Sequence, residues 1–195
     1  RGLGDVYKRQ NQDLANNIGN LLNRTVSMII KYFDGVVPEY KGSVSPLDGP
    51  LHDKCLQTIK DYEVLSDELK VTESYEKVMD LVRAANKYIE DSAPWALAKD
   101  ESKRAELQSV MAHLAEVLFT SGKLLEPIFV TKSEKIFDSL GMSQEERSYE
   151  NVGKFGLLND HIINKQAPLF PRLDEQKEIE YIASLMAAPK EKAAA

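Results

Sequence analysis

The sequence predicts an all-α protein, an antiparallel bundle of four or five helices with a C-terminal helix that folds back on the bundle. Apolar residues recur every three or four positions in several long segments, which is typical of amphipathic helices. Glycine and proline residues separate these segments. No segment shows the strict alternation of a half-buried strand, and no repeat period is present.

The first predicted helix runs from about Asp13 to Phe33, and its apolar residues lie on one face. Asp34 and Gly35 are expected to end it. A loop rich in glycine, serine and proline follows from Pro38 to Pro50.

Two further helices and an interruption come next. The second helix is predicted from the spacing of Leu51, Cys55, Ile59, Tyr62 and Leu65. Thr72 is expected to cap the third helix, which continues to Ile89. The stretch Ser92-Ala93-Pro94-Trp95 then interrupts, with Pro94 in the first turn of a short helical segment.

The second half of the chain predicts a long fourth helix, two short helices, an irregular segment and a last helix. In chain order these are Ser102 to Leu125, Ser133 to Leu140, Ser143 to Arg147, Asn151 to Pro171 and Glu175 to Met186. Pro127 ends the long helix, and Gly141 ends the first short one.

The chain divides into three parts. Residues 1–10 begin with arginine, lack a clear helical period and resemble a translated sequencing-adapter junction, so we interpret them as a non-native junction. Residues 11–186 form the helical domain. Residues 187–195 are rich in alanine and lysine and are interpreted as a linker or frayed tail.

Composition and charge narrow the classes of function. The chain has 195 residues, of which 43% are hydrophobic and 29% charged, as expected of one globular domain. No apolar run approaches the roughly 18 residues of a membrane span, and a single cysteine, Cys55, excludes an internal disulfide or a thiolate zinc cluster. A reducing, cytoplasmic location is therefore expected. The net charge of −6 argues against wrapping a nucleic-acid backbone but permits RNA binding through local base contacts.

The sequence predicts no catalytic residue and no metal site. His52, His113 and His161 lie far apart, without the spacing of metal ligands. The carboxylates are dispersed over helix faces, and the glycines do not form a phosphate-binding loop. No cofactor is expected in this chain.

An unusual polar face marks the first helix. It carries the side chains of Asn16, Asn17, Asn20, Asn23 and Arg24, although asparagine is a poor helix former. Asn20 and Arg24 are four residues apart and project from one side. The amide offers a donor and an acceptor to a base edge, and the guanidinium offers a planar fork. On spacing alone a solvated face, or asparagines that tie down a neighbouring loop, is the commoner arrangement.

The only tryptophan, Trp95, lies at a junction between helices. An aromatic residue in such a place either fills the core or offers a platform on which an unpaired base stacks, worth about 1–3 kcal/mol per base. Lys99 nearby is a candidate phosphate contact, although isolated basic residues on helices are usually just solvated.

Several segments resemble the anticodon-binding domain of bacterial methionyl-tRNA synthetases, which are class I synthetases. They are Asp13 to Thr25 with Lys31 to Gly35, Tyr88 to Lys99, Leu125 to Ile128, Ser133 to Ile136 and Pro168 to Asp174. The resemblance extends from Asn11 to about Met186. Its most specific features are Asn-Leu-x-x-Arg on the first helix and Ala-Pro-Trp at this separation.

The resemblance implies a role for the residues that the spacing left open. In that family the Asn and Arg of the first helix and the Trp of Ala-Pro-Trp contact the anticodon, which implies Asn20, Arg24 and Trp95 as anticodon-binding residues. Supporting tRNA contacts are expected from Asn16, Asn17, Asn23 and Lys99.

The same resemblance implies the partners and cofactors of a longer parent enzyme. Such enzymes form methionyl-adenylate from methionine and ATP with Mg²⁺, then transfer the methionyl group to tRNA-Met. Their His-x-Gly-His and Lys-Met-Ser-Lys-Ser motifs are absent here, so this fragment alone is expected to be inactive. Its expected partners are the tRNA-Met anticodon loop and the missing catalytic domain of the same chain. No membrane partner is expected, and a homodimer would form only through an absent C-terminal barrel.

Two other functions remain open. The chain is alternatively a helical protein-interaction module, or the anticodon domain of another class I synthetase. Convergence of Asn20, Arg24 and Trp95 on one exposed face would favour RNA recognition, whereas a Trp95 buried away from Arg24 would favour the interaction module.

Overall fold

Six α-helices make up the described part of the protein. In this computed structural model residues 3–165 are described, with side chains from residue 12 onward. The helices are α1 (Leu3–Phe33), α2 (Asp48–Asp67), α3 (Val71–Ser92), α4 (Pro94–Leu97), α5 (Arg104–Leu125) and α6 (Val130–Ser139). The same residues include two short 3-10 helices, Glu101–Lys103 and Tyr149–Asn151. Over residues 3–165 the nearest approach to a strand is one isolated bridge between Val36 and Ile162. The all-α prediction is confirmed.

Helix α5 forms the centre of the bundle. From Val110 to Leu125 almost every side chain is buried, because α1, α2, α3 and α6 all pack against it. A helix that is apolar on all sides is expected at such a position. The ring of Phe119 is fully buried in this core and packs edge-on against Phe137 of α6. The outer helices contribute one apolar stripe each, as the sequence periodicity predicts.

Helix α1, which carries Asn20 and Arg24, ends in a tight turn at Asp34 and Gly35. Asp34 and Gly35 both adopt positive φ angles, of 52° and 80°. The amide of Gly35 donates to the carbonyl of Ile29, which satisfies one of the last carbonyl groups of the helix. The predicted end of the first helix is confirmed.

Residues 141–165, called here the return segment, run from α6 back to the end of α1. The amide of Val37 donates to the carbonyl of His161, and the amide of Ile163 donates to that of Gly35. On the inner side, the buried Glu116 of α5 accepts hydrogen bonds from the amides of Gly156 and Leu158. The irregular segment predicted from residue 151 is confirmed as far as residue 165.

Helix α1 begins earlier than predicted. It starts at Leu3, not near Asp13. Between these two residues stand one glycine and no proline, so nothing in the chain stops a helix once it has been nucleated. The helix crosses the boundary drawn at residue 10, and the interpretation of residues 1–10 as a non-native junction stays a prediction.

The predicted cap of the third helix is wrong. Thr72 lies inside the first turn of α3, and Lys70 holds the N-cap position without a side-chain hydrogen bond. The reason is the tight reversal at Leu69, whose φ is 61°. This reversal lets the amide of Lys70 bond to the carbonyl of Leu65 and starts α3 directly at Val71.

The short helix predicted from Ser143 to Arg147 is also wrong. Ser143 and Glu146 form the two reciprocal bonds of a capping box, with the amide of each residue bonded to the side chain of the other. The chain nevertheless becomes extended at Ser148 and makes only a turn. The guanidinium of Arg147 folds back onto the carbonyl of Met142 and stabilises this turn. Residues 166–174, the predicted last helix (Glu175 to Met186) and the tail 187–195 lie outside the described residues.

Candidate functional site

Asn20 and Arg24 lie where α1 contacts α3. The side chain of Asn20 bonds to that of Asn86, and the side chain of Arg24 pairs with that of Glu90. Both bridges join residues 66 positions apart, so α1 and α3 run parallel and in register along this contact. Since successive helices of the bundle alternate in direction, the first and third helices are expected to be parallel. The site is therefore a seam between two helices.

The ion pair of Arg24 with Glu90 stands at the edge of this seam. The side chain of Arg24 is 27% exposed and that of Glu90 is 61% exposed. An ion pair so open to water contributes little to stability, about 0–1 kcal/mol. The pair with Glu90 uses one nitrogen of the guanidinium, and the other N–H groups of this partly exposed side chain can bind a ligand.

Trp95 follows α3 on a backbone that turns sharply. Ala93 adopts a left-handed conformation (φ 46°, ψ 65°) that is uncommon for a residue with a side chain. It ends α3 and starts α4, with Pro94 buried in the first turn. The indole that comes next is 44% exposed, so it does not fill the core. Ala93, two residues before this tryptophan, thus holds a strained conformation of the kind that clusters at ligand-binding sites.

The structure brings two of the three predicted residues, Asn20 and Arg24, together at the contact between α1 and α3. Asn20 and Arg24 are one helical turn apart and meet the last turns of α3. Trp95 lies five residues beyond Glu90, the partner of Arg24, just past the end of α3. Trp95 thus follows the end of the helix that carries the partners of Asn20 and Arg24.

The supporting residues are more scattered. Asn16 and Lys99 are exposed and Asn17 and Asn23 are half-buried. The backbone carbonyl of Asn17 accepts a bond from Asn86. The side-chain oxygen of Asn23 is buried, with no hydrogen-bond partner within the described part of the chain. Asn17 therefore belongs to the seam through its backbone rather than its side chain.

Asn86 and Glu90 are site residues that the sequence analysis missed. They are four apart on α3, the same spacing as Asn20 and Arg24 on α1. This matching spacing is a signal present in the sequence, but it identifies the pair only when the register of the two helices is known. Only the packing of α3 against α1 provides that register.

A buried carboxylate anchors α3 close to the site. Asp48 is fully buried and accepts hydrogen bonds of 2.6 Å from the hydroxyl groups of Tyr88 on α3 and Ser109 on α5. Burial by itself raises the pKa of Asp48, but hydrogen bonds from Ser109, Ser45 and Tyr88 outweigh it, so the pKa lies below its ordinary value. The ionised carboxylate of Asp48 therefore links α2, α3 and α5. Its contact on α3, Tyr88, lies two residues before Glu90.

The candidate site differs from a metal centre, and the cavity of residues 32–41, 104, 108 and 160 lies away from it. Among the described residues, no cluster of histidine, cysteine and acidic side chains can hold a metal ion. An open cavity of about 500 Å³ lies beside Phe33, Arg104 and the loop after α1, and neither Arg24 nor Trp95 lines it. Within residues 3–165, every helix is too short or too polar to span a bilayer. The candidate site is thus an exposed surface suited to a ligand that reaches onto it.

Comparison with known proteins defines the class of this helical domain. The protein-family model for the anticodon-binding domain of methionyl-tRNA ligase matches residues 37–188 of this sequence. The chain belongs to this family of anticodon-binding domains.

Curated relatives extend the similarity over α1 as well. The chain is 44% identical over 180 residues to the methionine–tRNA ligase of Bacillus subtilis and 43% identical over 185 residues to that of Listeria monocytogenes. The first alignment covers 92% of this chain and 27% of the relative, and the second covers 93% and 28%. An alignment over 92% of 195 residues includes Asn20, Arg24 and Trp95. The chain spans just over a quarter of the length of these relatives.

Solved structures show the same fold. The apo form of Mycobacterium tuberculosis methionyl-tRNA synthetase superimposes with a TM-score of 0.77 at 28% identity, covering 88% of this chain and 35% of that one. The same enzyme in complex with methionyl-adenylate gives a TM-score of 0.78. The prediction of an anticodon-binding helical domain is therefore confirmed at the level of the family and the fold.

Proposed function

We propose that this domain recognises the CAU anticodon of tRNA-Met, with Asn20, Arg24 and Trp95 as the contacting residues. The proposal is supported by the seam of α1 and α3, which holds an amide and a guanidinium one helical turn apart, and by a half-exposed indole just past the end of α3. These are the groups that RNA-binding proteins use on an unpaired base: hydrogen bonds to its edge and stacking on its face.

The energetics favour recognition of individual bases over attraction of the phosphate backbone. Stacking of one base on Trp95 is worth about 1–3 kcal/mol. The chain carries a net charge of −6, so counterion release from the RNA backbone contributes little. Binding by this domain is therefore expected to be modest in affinity and selective for the anticodon.

The domain serves, in this proposal, as the recognition part of a longer methionine–tRNA ligase. The parent enzyme uses ATP and Mg²⁺ to form methionyl-adenylate and transfers the methionyl group to tRNA in the cytoplasm. Those steps belong to a catalytic domain outside this chain, and any homodimer forms through a C-terminal barrel that is likewise outside it. Asn16, Asn17, Asn23 and Lys99 act as supporting tRNA contacts, with the most exposed of them nearest to the RNA backbone.

The proposal is tested by substituting Trp95. Trp95→Ala is expected to weaken binding of a CAU anticodon stem-loop by about 1–3 kcal/mol, because it removes the stacking surface. Since the indole is 44% exposed, the helical content and melting temperature should change little. Fluorescence anisotropy of a labelled stem-loop measures the affinity, and circular dichroism checks the fold.

A second exposed ring provides the matched control. Tyr149 is 39% exposed and lies in the return segment, far along the chain from the seam. Tyr149→Ala should leave RNA binding unchanged. Equal affinity of Trp95→Ala and the parent chain, or equal binding of loops that differ in the first anticodon base, would contradict the proposal and favour the protein-interaction module.

A further inference from the structure

The side-chain amide of Asn86 has an orientation that its surroundings determine. One end of this amide faces two backbone carbonyl oxygens, that of Asn17 at 3.2 Å and that of Val82 at 3.3 Å. Carbonyl oxygens only accept hydrogen bonds, so the end of the amide that faces them must be the NH₂ group. The other end, which is an acceptor, therefore faces the side chain of Asn20 on α1.

This orientation determines that of Asn20 in turn. The amide of Asn20 lies 3.4 Å from the oxygen of Asn86. Because that oxygen only accepts, the end of Asn20 that faces it must be its own NH₂ group. The carbonyl oxygen of Asn20 then points away from α3, and the residue as a whole is exposed. A chain of hydrogen bonds that starts at two backbone carbonyls thus decides which end of Asn20 is presented to a ligand.

We propose that Asn86 is a positioning residue that fixes Asn20 as a hydrogen-bond acceptor and thereby selects cytosine over uracil in the anticodon. The inference rests on the proposed function of the seam. Asn86 does not touch the RNA; it acts by preventing the amide of Asn20 from turning over.

The preference for cytosine over uracil follows from the hydrogen-bonding groups on the edges of the two bases. Cytosine presents an exocyclic amino group, which is a donor, followed by a ring nitrogen and a carbonyl oxygen, which are acceptors. The oxygen of Asn20 matches the amino group, and the N–H groups of Arg24 that are not bonded to Glu90 match the acceptors. Uracil has a carbonyl oxygen in place of the amino group, so two acceptors would face each other. An amide free to turn would instead offer its NH₂ group to uracil.

The test compares stem-loops that carry C or U in the first anticodon position, bound to the full 195-residue chain. The parent chain is expected to prefer the C loop by about tenfold or more. In Asn86→Ala the amide of Asn20 is released, so the preference should fall to within about threefold, below the range of one good base contact. The decisive result for Asn86→Ala is that its affinity for the U loop rises while its affinity for the C loop falls.

A second variant and two controls separate this effect from loss of structure. Asn86→Leu keeps a similar branched shape without hydrogen bonds and should give the same loss of preference. Asn20→Ala should lose affinity for the C loop without any gain for the U loop. Ser133→Ala removes a buried 2.7 Å bond to the carbonyl of Gly122, between α6 and α5, and should leave both affinities unchanged.

The possible results distinguish this inference from the proposed function. If both Asn86 variants keep the parental C preference, or weaken both loops equally, the positioning role is overturned while anticodon recognition stands. If the parent chain binds the C and U loops equally, the proposed function itself fails and this inference fails with it.

Discussion

The buried carboxyl group of Glu116 gives the stability of this domain a defined dependence on pH. Its side chain on α5 is only 4% exposed, and one of its oxygens accepts the amides of Gly156 and Leu158 at 2.9 and 3.0 Å. Burial raises the pKa of Glu116 from 4.5 to about 7, because the hydrogen bonds from these two amides and the charge of His161 only partly offset the loss of water.

The direction in which stability changes with pH depends on whether the folded or the unfolded state binds the proton of Glu116. Between pH 4.5 and about 7 the carboxyl group of Glu116 is ionised in the unfolded chain but still protonated in the folded one. The folded state therefore binds more protons, and the free energy of unfolding falls as the pH rises through this range. A tenfold change in proton affinity corresponds to about 1.4 kcal/mol, so the loss amounts to about 3 kcal/mol above pH 7.

The substitution Glu116→Gln should remove this dependence. The amide keeps an oxygen for Gly156 and Leu158 and carries no charge, so the variant is expected to be the more stable protein at pH 8. Relief of the buried charge contributes about 3 kcal/mol and the new NH₂ group costs about 1–3 kcal/mol, so the net gain at pH 8 should be at most about 2 kcal/mol.

Urea unfolding at pH 5, 6, 7 and 8 measures the difference in the free energy of unfolding between the Glu116→Gln variant and the parent chain. Because every other titrating group is common to both proteins, the difference isolates Glu116. It should grow as the pH rises to 7 and stay constant above. Parallel stability curves for the two proteins would refute a raised pKa and the reasoning from burial.

Two further predictions concern the packing around the bundle. Gly141→Ala should lower the free energy of unfolding by at least about 2 kcal/mol, because φ is 67° and a Cβ atom would lie 2.3 Å from the carbonyl oxygen of Ile162. Gly42→Ala has a similar φ of 81° and open space around it, so it should cost only about 1 kcal/mol; equal losses in urea unfolding would show that the contact with Ile162 is unimportant. Tyr88→Phe should cost about 2 kcal/mol by thermal or urea unfolding, because a hydrogen bond to the buried charge of Asp48 is lost. An unchanged stability would mean that the carboxylate of Asp48 does not depend on this hydroxyl group.

The positions of the helices follow closely from local patterns. Apolar periodicity locates α2, α3 and α5 to within a few residues, and the end of α1 at Asp34 and Gly35 is evident from residue types alone. The wrong predictions arise where the surrounding chain overrides a local capping signal. Ser143 and Glu146 form a capping box, but the chain leaves the helical path after one turn. Thr72 is a good capping residue, but the reversal at Leu69 starts the helix before it.

The candidate site is only half visible in the sequence. Asn20, Arg24 and Trp95 stand out because asparagines are rare on helices and the tryptophan is single, and the resemblance to a family selects them from other candidates. Their partners on α3, Asn86 and Glu90, share the spacing of Asn20 and Arg24, but that spacing identifies them only once the register of the two helices is known. They are ordinary polar residues on a helix, and they acquire a role only through their neighbours on α1.

Most of the helices and the polar face of α1 can be derived from the amino-acid sequence because each depends on residues close together in the chain, and the family is recognised from short motifs and their separation. The packed bundle is needed to establish which residues of α3 face Asn20 and Arg24, since contacts across 66 positions depend on the register of two helices. It is also needed to establish that Trp95 is half-exposed and that Glu116 is buried. Exposure to water is a property of all the helices together, and it determines both the stacking surface of the indole and the raised pKa of the carboxyl group.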